Sequence, residues 1–209
     1  MKIKTIPVGS FGVNCSVIDN DGAAWIVDPG RDADRIIAAV SGWGLRPGGI
    51  LLTHAHFDHI GAVPELQRRY AGLPVYLHPA DARVLTHPMN QFPPEYPPIE
   101  RPANLTDAGE AALPGLHVIE TPGHTPGGVC YHLPGFNHPD FPGTAGLLLS
   151  GDTLFAGSAG RTDLPGGDMA TLLRSLRALA GLPGDTLVIP GHGGFTTIAD
   201  EVRDNVFLR

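Results

Sequence analysis

The stretch "THAHFDHIGA" places His54, His56, Asp58 and His59 within six residues. Imidazole and carboxylate side chains are ligand types for zinc, iron and manganese. One short segment cannot surround an ion, so the rest of the chain must supply partners. Three further segments have the same character. "VIETPGHTPGG" offers His124, "LLLSGDTLF" offers Asp152 and "LVIPGHGGF" offers His192. In each, an apolar run ends just before the polar residue, which places that residue at a strand end. No cysteine belongs to the set, which argues against a closed structural zinc site. Seven ligands exceed the three or four that one catalytic zinc uses, so two metal ions are implied. His54 and His56 can grip one ion, while Asp58 and His59 turn to the other as a helix begins. With Asp152 bridging, each ion gains one distant histidine. Two such ions ~3.5–4 Å apart would share a hydroxide whose pKa is lowered toward ~7, a nucleophile at neutral pH.

These residues need rigid elements to position them. "KIKTI", "CSVID" and "AWIVD" read as strands, with "DNDGA" as a hairpin turn carrying Asp-Gly. "DADRIIAAVSGWG" reads as an amphipathic helix with Ile36, Ile37, Val40 and Trp43 on one face and Gly44 at its end. "GGILLTH" is a buried strand that delivers the first ligands. "IGAVPELQRRYAG" follows as a helix with Val63, Leu66 and Tyr70 on one stripe. Active sites of layered α/β folds favour such strand ends. "LPVYLHP" gives another strand and "ADARVLT" a short helix. Residues 87–104 contain six prolines among eighteen residues, which excludes a regular helix or central strand. They form a shaped loop with Phe92 and Tyr96 as apolar contacts, either a lid or a surface loop. In the second half, "LHVIE", "GVCYHL", "GLLLSGD" and "DTLVIPGH" are strands. "DMATLLRSLRALAG" is a helix capped by Asp168, and "TIADEVRDN" is one capped by Thr196 or Thr197. The whole, residues 1–209, is expected to be a single α/β domain with internal pseudo-symmetry, two sheets covered by helices.

Composition narrows the function classes. The net charge is −7 with only 14 Lys and Arg, so no basic stripe for nucleic acid is expected. No apolar run reaches the ~20 residues of a membrane span. The N-terminal "MKIKTIPVGS" lacks signal-peptide features, so a cytoplasmic location is expected. Cys15 and Cys130 each lie in apolar runs and are expected to be two buried thiols.

"THAHFDH" followed by His124, Asp152 and His192 in that order resembles the metallo-β-lactamase fold hydrolases, whose pattern is His-x-His-x-Asp-His and then His, Asp and His. The resemblance covers nearly the whole chain. It implies an αβ/βα four-layer sandwich of two mixed sheets flanked by helices. It also implies one ion on His54, His56 and His124, a second on Asp58, His59 and His192, and Asp152 bridging. Zinc is the expected metal, with iron or manganese as alternatives. Within that superfamily, "TPGHTPGG", "SGDTLF", "GRTD" and "PGHG…TTI" look most like the glyoxalase II group, particularly its short bacterial members. That implies hydrolysis of S-2-hydroxyacylglutathione or a related small thioester, with Asp58 as a ligand that also orients the nucleophile or takes its proton. No nucleic acid or membrane partner is expected, and the chain should be a monomer or small homo-oligomer.

The pattern departs from full-length glyoxalase II in one respect. Only 17 residues follow His192, too few for the helical extension that supplies basic contacts to glutathione there. Persulfide dioxygenases share the scaffold and a "GRTD"-like stretch, and form the alternative, with a single iron. A β-lactamase is disfavoured by the missing secretion signal. Arg161 is placed at the site edge facing a substrate carboxylate, with pairing to Asp163 or Asp168 as its other reading. Asp28, ending a strand in "IVDPG", is read either as an orienter of a ligand histidine or as a turn residue. His78, His87, His117, His132 and His138 are read as structural or surface residues.

Overall fold

Alternating apolar residues, broken by glycine-rich turns, build two mixed sheets, each carrying its own helices. A computed structural model describes residues 1–209, which divide into two compact units, 1–114 and 115–209.

In the first unit, β1 (Lys2–Val8), β2 (Val13–Asn20) and β3 (Ala23–Val27) form an antiparallel meander. Asp21 and Gly22, between β2 and β3, both have positive φ. That is the signature of the tight turn Asp-Gly favours, and it matches the right-handed twist of the strands. The sheet continues in parallel through β4 (Arg46–Leu51), β5 (Val75–Tyr76) and β6 (Leu105–Thr106). Helix α1 (Ala33–Gly42) crosses between β3 and β4. Its buried residues are Ala33, Ile36, Ala39 and Val40, while Trp43, expected on the buried face, is exposed at the C-cap. Trp43 lies past the last helical turn, where helical periodicity no longer sets its direction. Gly44, at φ 67°, ends the helix as expected.

The single helix expected after the first ligands is two. α2 (Phe57–Ile60) is one turn, and α3 (Val63–Arg69) begins after Gly61 and Ala62. Pro64 in the first turn of α3 has no N–H to offer the carbonyl of Ile60, which breaks the ladder there. Val63 and Leu66 are buried, as the stripe required. α4 (Ala82–Leu85) is the short helix after β5. Residues 87–104 hold no helix, and the only pairing within them is an isolated bridge between Phe92 and Tyr96. The core beneath this sheet includes Val17, Ile26, Ile36, Ile50, Leu52 and Leu66.

In the second unit the sheet order is β13-β12-β9-β8-β7, built from β7 (His117–Glu120), β8 (Val129–Pro134), β9 (Gly146–Gly151), β12 (Leu187–Pro190) and β13 (Thr196–Thr197). β9 and β12 are parallel and the other pairs antiparallel. A small ribbon, β10 (Leu154–Phe155) and β11 (Ser158–Ala159), follows β9. Helix α5 (Met169–Leu179) packs Leu172, Leu176 and Leu179 on Cys130, Leu148 and Val188. Its N-cap is Asp168, whose carboxylate accepts from Thr171 N at 2.7 Å. Thr197 caps α6 (Ile198–Asp204), accepting from Asp200 N at 3.2 Å. Cys15 and Cys130 are both buried, unoxidised thiols, and burial raises the Cys15 pKa far above the ordinary thiol value, with Asp28 adding to the effect.

Candidate metal centre

In the first unit the ligand loop leaves the end of β4 and is held by three side chains. Asp28, at the end of β3, is the first. Its Oδ1 accepts from Thr53 N at 2.8 Å and its Oδ2 from Thr53 Oγ1 at 2.6 Å. The same Oδ2 lies 3.0 Å from His59 Nδ1, which must be the donor to a carboxylate. Because the Thr53 hydroxyl proton is spent on Asp28, the 3.1 Å contact between Thr53 Oγ1 and His54 Nδ1 has the imidazole donating. Both histidines are thereby fixed with hydrogen on Nδ1 and a lone pair on Nε2, the form a metal requires. Asp28 itself stands at φ 47°, an uncommon backbone state for a non-glycine residue. The three hydrogen-bonding atoms its carboxylate serves hold it there.

Asp81 and Asn90 complete the clamp. Asp81 Oδ2 accepts from Ala55 N at 2.9 Å. Asn90 accepts from Phe57 N at 2.8 Å and donates to Ala55 O at 2.7 Å. The ring of His54 lies 4.8 Å from that of His56, at 89°, and 4.1 Å from that of His59. Asp58 Oδ2 is 3.9 Å from His59 Nε2. Candidate ligand atoms of Asp28, His54 and His59 lie within 4.8 Å of one another. Both Asp28 oxygens are engaged by Thr53 and His59, which is the disposition of an orienter of candidate ligands. A Cβ on Gly30 would collide with the carbonyl oxygen of Asp58, so glycine is what lets the Asp28-Pro29-Gly30 turn lie against α2.

In the second unit, His124, Asp152 and His192 come together from the turn after β7, the end of β9 and the end of β12. His124 Nδ1 donates to the backbone carbonyl of Arg161 at 2.7 Å, which leaves Nε2 facing Asp152. Asp152 Oδ2 is 3.5 Å from His124 Nε2, and its Oδ1 is 3.6 Å from His192 Nε2. These separations exceed ordinary hydrogen bonds. They fit donors that share a third atom, since two ligands each ~2.1 Å from one ion at a near-tetrahedral angle lie ~3.4 Å apart. One carboxylate with each oxygen toward a different imidazole has the disposition of a bridge. Gly123, at φ 137°, permits this turn, because a Cβ there would strike the backbone of Leu172 in α5.

The structure thus groups His54, His56, Asp58 and His59 in one unit and His124, Asp152 and His192 in the other. The donor set is nitrogen and carboxylate oxygen, with three of the imidazoles held as metal-ready tautomers, and it fits a divalent transition metal. The Arg161 side chain is exposed and forms a fork with Asp163, Nε and Nη2 each 2.6 Å from a carboxylate oxygen. That pairing holds the Asp163 carboxyl near a pKa of about 2. The contribution of Arg161 to the site in this unit is its carbonyl, which no reading of side-chain types would find. Asp81 and Asn90 also escaped the sequence reading, because Asp81 looks like a helix-start residue and Asn90 lies among prolines. Their one legible signal is polarity, Asp81 shortly before the proline-rich segment and Asn90 within it. Of the other histidines, His78, His87 and His138 use Nδ1 to accept local backbone N–H groups. His117 and His132 are cross-strand partners on β7 and β8.

Residues 8–192 match the model of the metallo-beta-lactamase superfamily, and the chain belongs to it. It is 36% identical to hydroxyacylglutathione hydrolase GloC of Haemophilus influenzae, covering 100% of this chain and 98% of that protein. Among solved structures it is similar to the BLEG-1 B3 metallo-beta-lactamase, with a TM-score of 0.83 and 38% identity over 99% of both chains. It is also similar to TTHA1623 in a di-iron-bound form, with a TM-score of 0.82 and 37% identity over 98% of this chain and 100% of that one. The mixed α/β architecture is that of the metallo-β-lactamase fold, and the class is that of metallo-hydrolases.

Proposed function

We propose that the protein is a hydrolase of small thioesters, of glyoxalase II type, acting on S-2-hydroxyacylglutathione or a related thiol conjugate in the cytoplasm. The observation that carries its metal chemistry is the carboxylate of Asp152, with its two oxygens 3.5 and 3.6 Å from His124 and His192. The thioester class is supported by the similarity to the hydroxyacylglutathione hydrolase of H. influenzae over the full chain. His54, His56 and His124 would hold one divalent ion, and Asp58, His59 and His192 a second, with Asp152 common to both. Zinc suits this nitrogen-rich set, and iron and manganese are compatible with it. When bound, such ions supply Lewis acidity and lower the pKa of water toward ~7.

The chain's own residues do the rest. Asp28 and the Arg161 carbonyl hold the imidazoles of His59 and His124 in one tautomer, and Asp81 and Asn90 fix the backbone between His54 and Phe57. Asp58, buried beside His59, orients the attacking water and takes its proton. The water oxygen bonds to the thioester carbonyl carbon, the C–S bond breaks, and the thiolate departs and is reprotonated.

The test is a substrate panel on metal-quantified protein. Glutathione and other thiol-carrier thioesters, a cephalosporin and glutathione persulfide under an oxygen electrode make up its arms. Thioester cleavage without oxygen uptake, at two ions per chain, is the expected result, with His56→Ala losing at least ~100-fold in kcat. Two rival readings each rest on an observation and have an outcome of their own. Oxygen consumption on the persulfide at one iron per chain would make the protein a dioxygenase, a reading that the "GRTD" stretch at 160–163 keeps open. Cephalosporin hydrolysis as the dominant activity would make it a β-lactamase, the activity named for the BLEG-1 structure.

A further inference from the structure

Phe57 stands inside the ligand motif, between His56 and Asp58, and its ring belongs to an aromatic group that metal binding does not explain. Phe11, from the turn joining β1 to β2, meets Phe57 edge-on at 5.5 Å and Phe92 edge-on at 5.5 Å. Phe57 and Phe92 are nearly parallel, 15° apart in plane at 6.1 Å. Tyr96, fully buried, lies beneath, 5.7 Å from Phe11 and 5.2 Å from Phe57. Polar ties hold the segments that carry these rings. Glu95 accepts from Ser10 N at 3.0 Å and from Ser10 Oγ at 2.7 Å, and Asn90 accepts from Phe57 N. Despite this anchoring, Phe11 is 42% and Phe92 53% exposed. A fixed cluster of rings held open to solvent beside ligand residues forgoes hydrophobic burial, and such patches mark binding surfaces.

We infer that Phe11, Phe57 and Phe92 form the subsite for a bulky apolar acyl group, so that the preferred substrate is an aryl- or branched-acyl thioester. The inference rests on the thioester reading above. None of these rings carries a charge or a hydrogen-bonding group, so the moiety they receive is apolar. The glutathione half of a thioester is charged and polar, which leaves the acyl half. The tight turn Gly9–Gly12, with both glycines at positive φ, sets Phe11 in place, and Asn90 and Glu95 hold the proline-rich segment on the other side. Residues 87–104 therefore act as a wall of the subsite.

Steady-state kinetics on S-lactoylglutathione and S-mandeloylglutathione, which differ by a phenyl in place of a methyl, read the subsite. The wild type should show a KM at least about tenfold lower for the mandeloyl ester, the scale of an added apolar contact. Phe11→Ala and Phe92→Ala should each raise that KM about tenfold, leaving kcat and the lactoyl KM within twofold. A second readout needs no activity: saturation-transfer NMR on metal-free protein with mandelate should show its phenyl protons saturated, and the signal should vanish in the double variant. Phe11→Leu and Phe92→Leu serve where an alanine variant loses its cooperative melt. Equal KM values for the two esters, KM values indifferent to these substitutions, or no saturation of mandelate would overturn the subsite. So would a concentration-dependent dimer abolished by Phe92→Ala, which would make the patch a contact with a second copy. If no thioester is cleaved at all, the thioester reading falls, and the mandelate experiment still decides whether the rings bind an apolar group.

Discussion

At the scale of single residues, the candidate ligands are oriented by groups outside their own set. Asp28 serves Thr53 and His59 together, so Asp28→Asn removes the charge that holds the His59 proton on Nδ1. Its metal affinity, read by competition with a chelator, should fall ~10–100-fold, the usual effect of losing such an orienting partner. Arg161 provides the contrast. Its carbonyl holds His124 while its guanidinium faces Asp163. Arg161→Ala keeps the carbonyl, so metal affinity should stay within twofold of wild type. A rise in KM with unchanged metal content would be the mark of a substrate contact at the site edge. A loss of metal in Arg161→Ala would show that the side chain, not the carbonyl, supports His124.

At the scale of elements, strand ends and glycine turns do the placing. β9 and β12 run parallel, so Asp152 and His192 emerge at the same edge of the second sheet. The same sheet carries a titratable group away from the ligands. His132 on β8 is buried, with Nε2 lacking a hydrogen-bond partner, and desolvation lowers its pKa, with repulsion from His117 adding to the effect. In the unfolded chain this histidine takes up a proton near pH 6.5, while in the folded one it resists doing so. Below about pH 6.5 the unfolded state then binds more protons, and stability falls as pH falls. Urea unfolding of metal-free protein between pH 5 and 7 should therefore show a flatter pH slope for His132→Leu than for wild type. Identical slopes would mean that His132 does not contribute to this pH dependence.

At the scale of the whole molecule, metal and stability should be linked. Ligands drawn from distant parts of one chain bind an ion only in the folded state, so bound metal stabilises that state by mass action. An ion present at about 1,000 times its Kd contributes roughly 4 kcal/mol. For a chain of this length that corresponds to roughly 8–16 °C in melting temperature. Calorimetry before and after chelation should show a fall of that size, reversed by adding zinc. An unchanged melting temperature would mean that the seven residues hold no ion.

The seven candidate ligands, the strands that carry them and the caps of α5 and α6 were legible in the chain, because each depends on local order. A polar residue after an apolar run marks a strand end, Asp-Gly marks a tight turn, and Asp168 precedes an amphipathic run. The break between α2 and α3 was also written locally, in Pro64, yet the continuous apolar stripe obscured it. Other features depended on tertiary structure. Asp28 could be a turn residue or an orienter until its carboxylate was placed between Thr53 and His59, 25 and 31 residues away. Asp81 and Asn90 reach the ligand loop across 26 and 33 residues, and the Arg161 carbonyl reaches His124 across 37. The aromatic group joins Phe11, Phe57 and Phe92 from three separate segments. Ligand types follow from side-chain chemistry, which the amino-acid sequence states outright. Their tautomers, their support and the walls around them come from long-range hydrogen bonds and ring contacts, which exist only once the chain has folded.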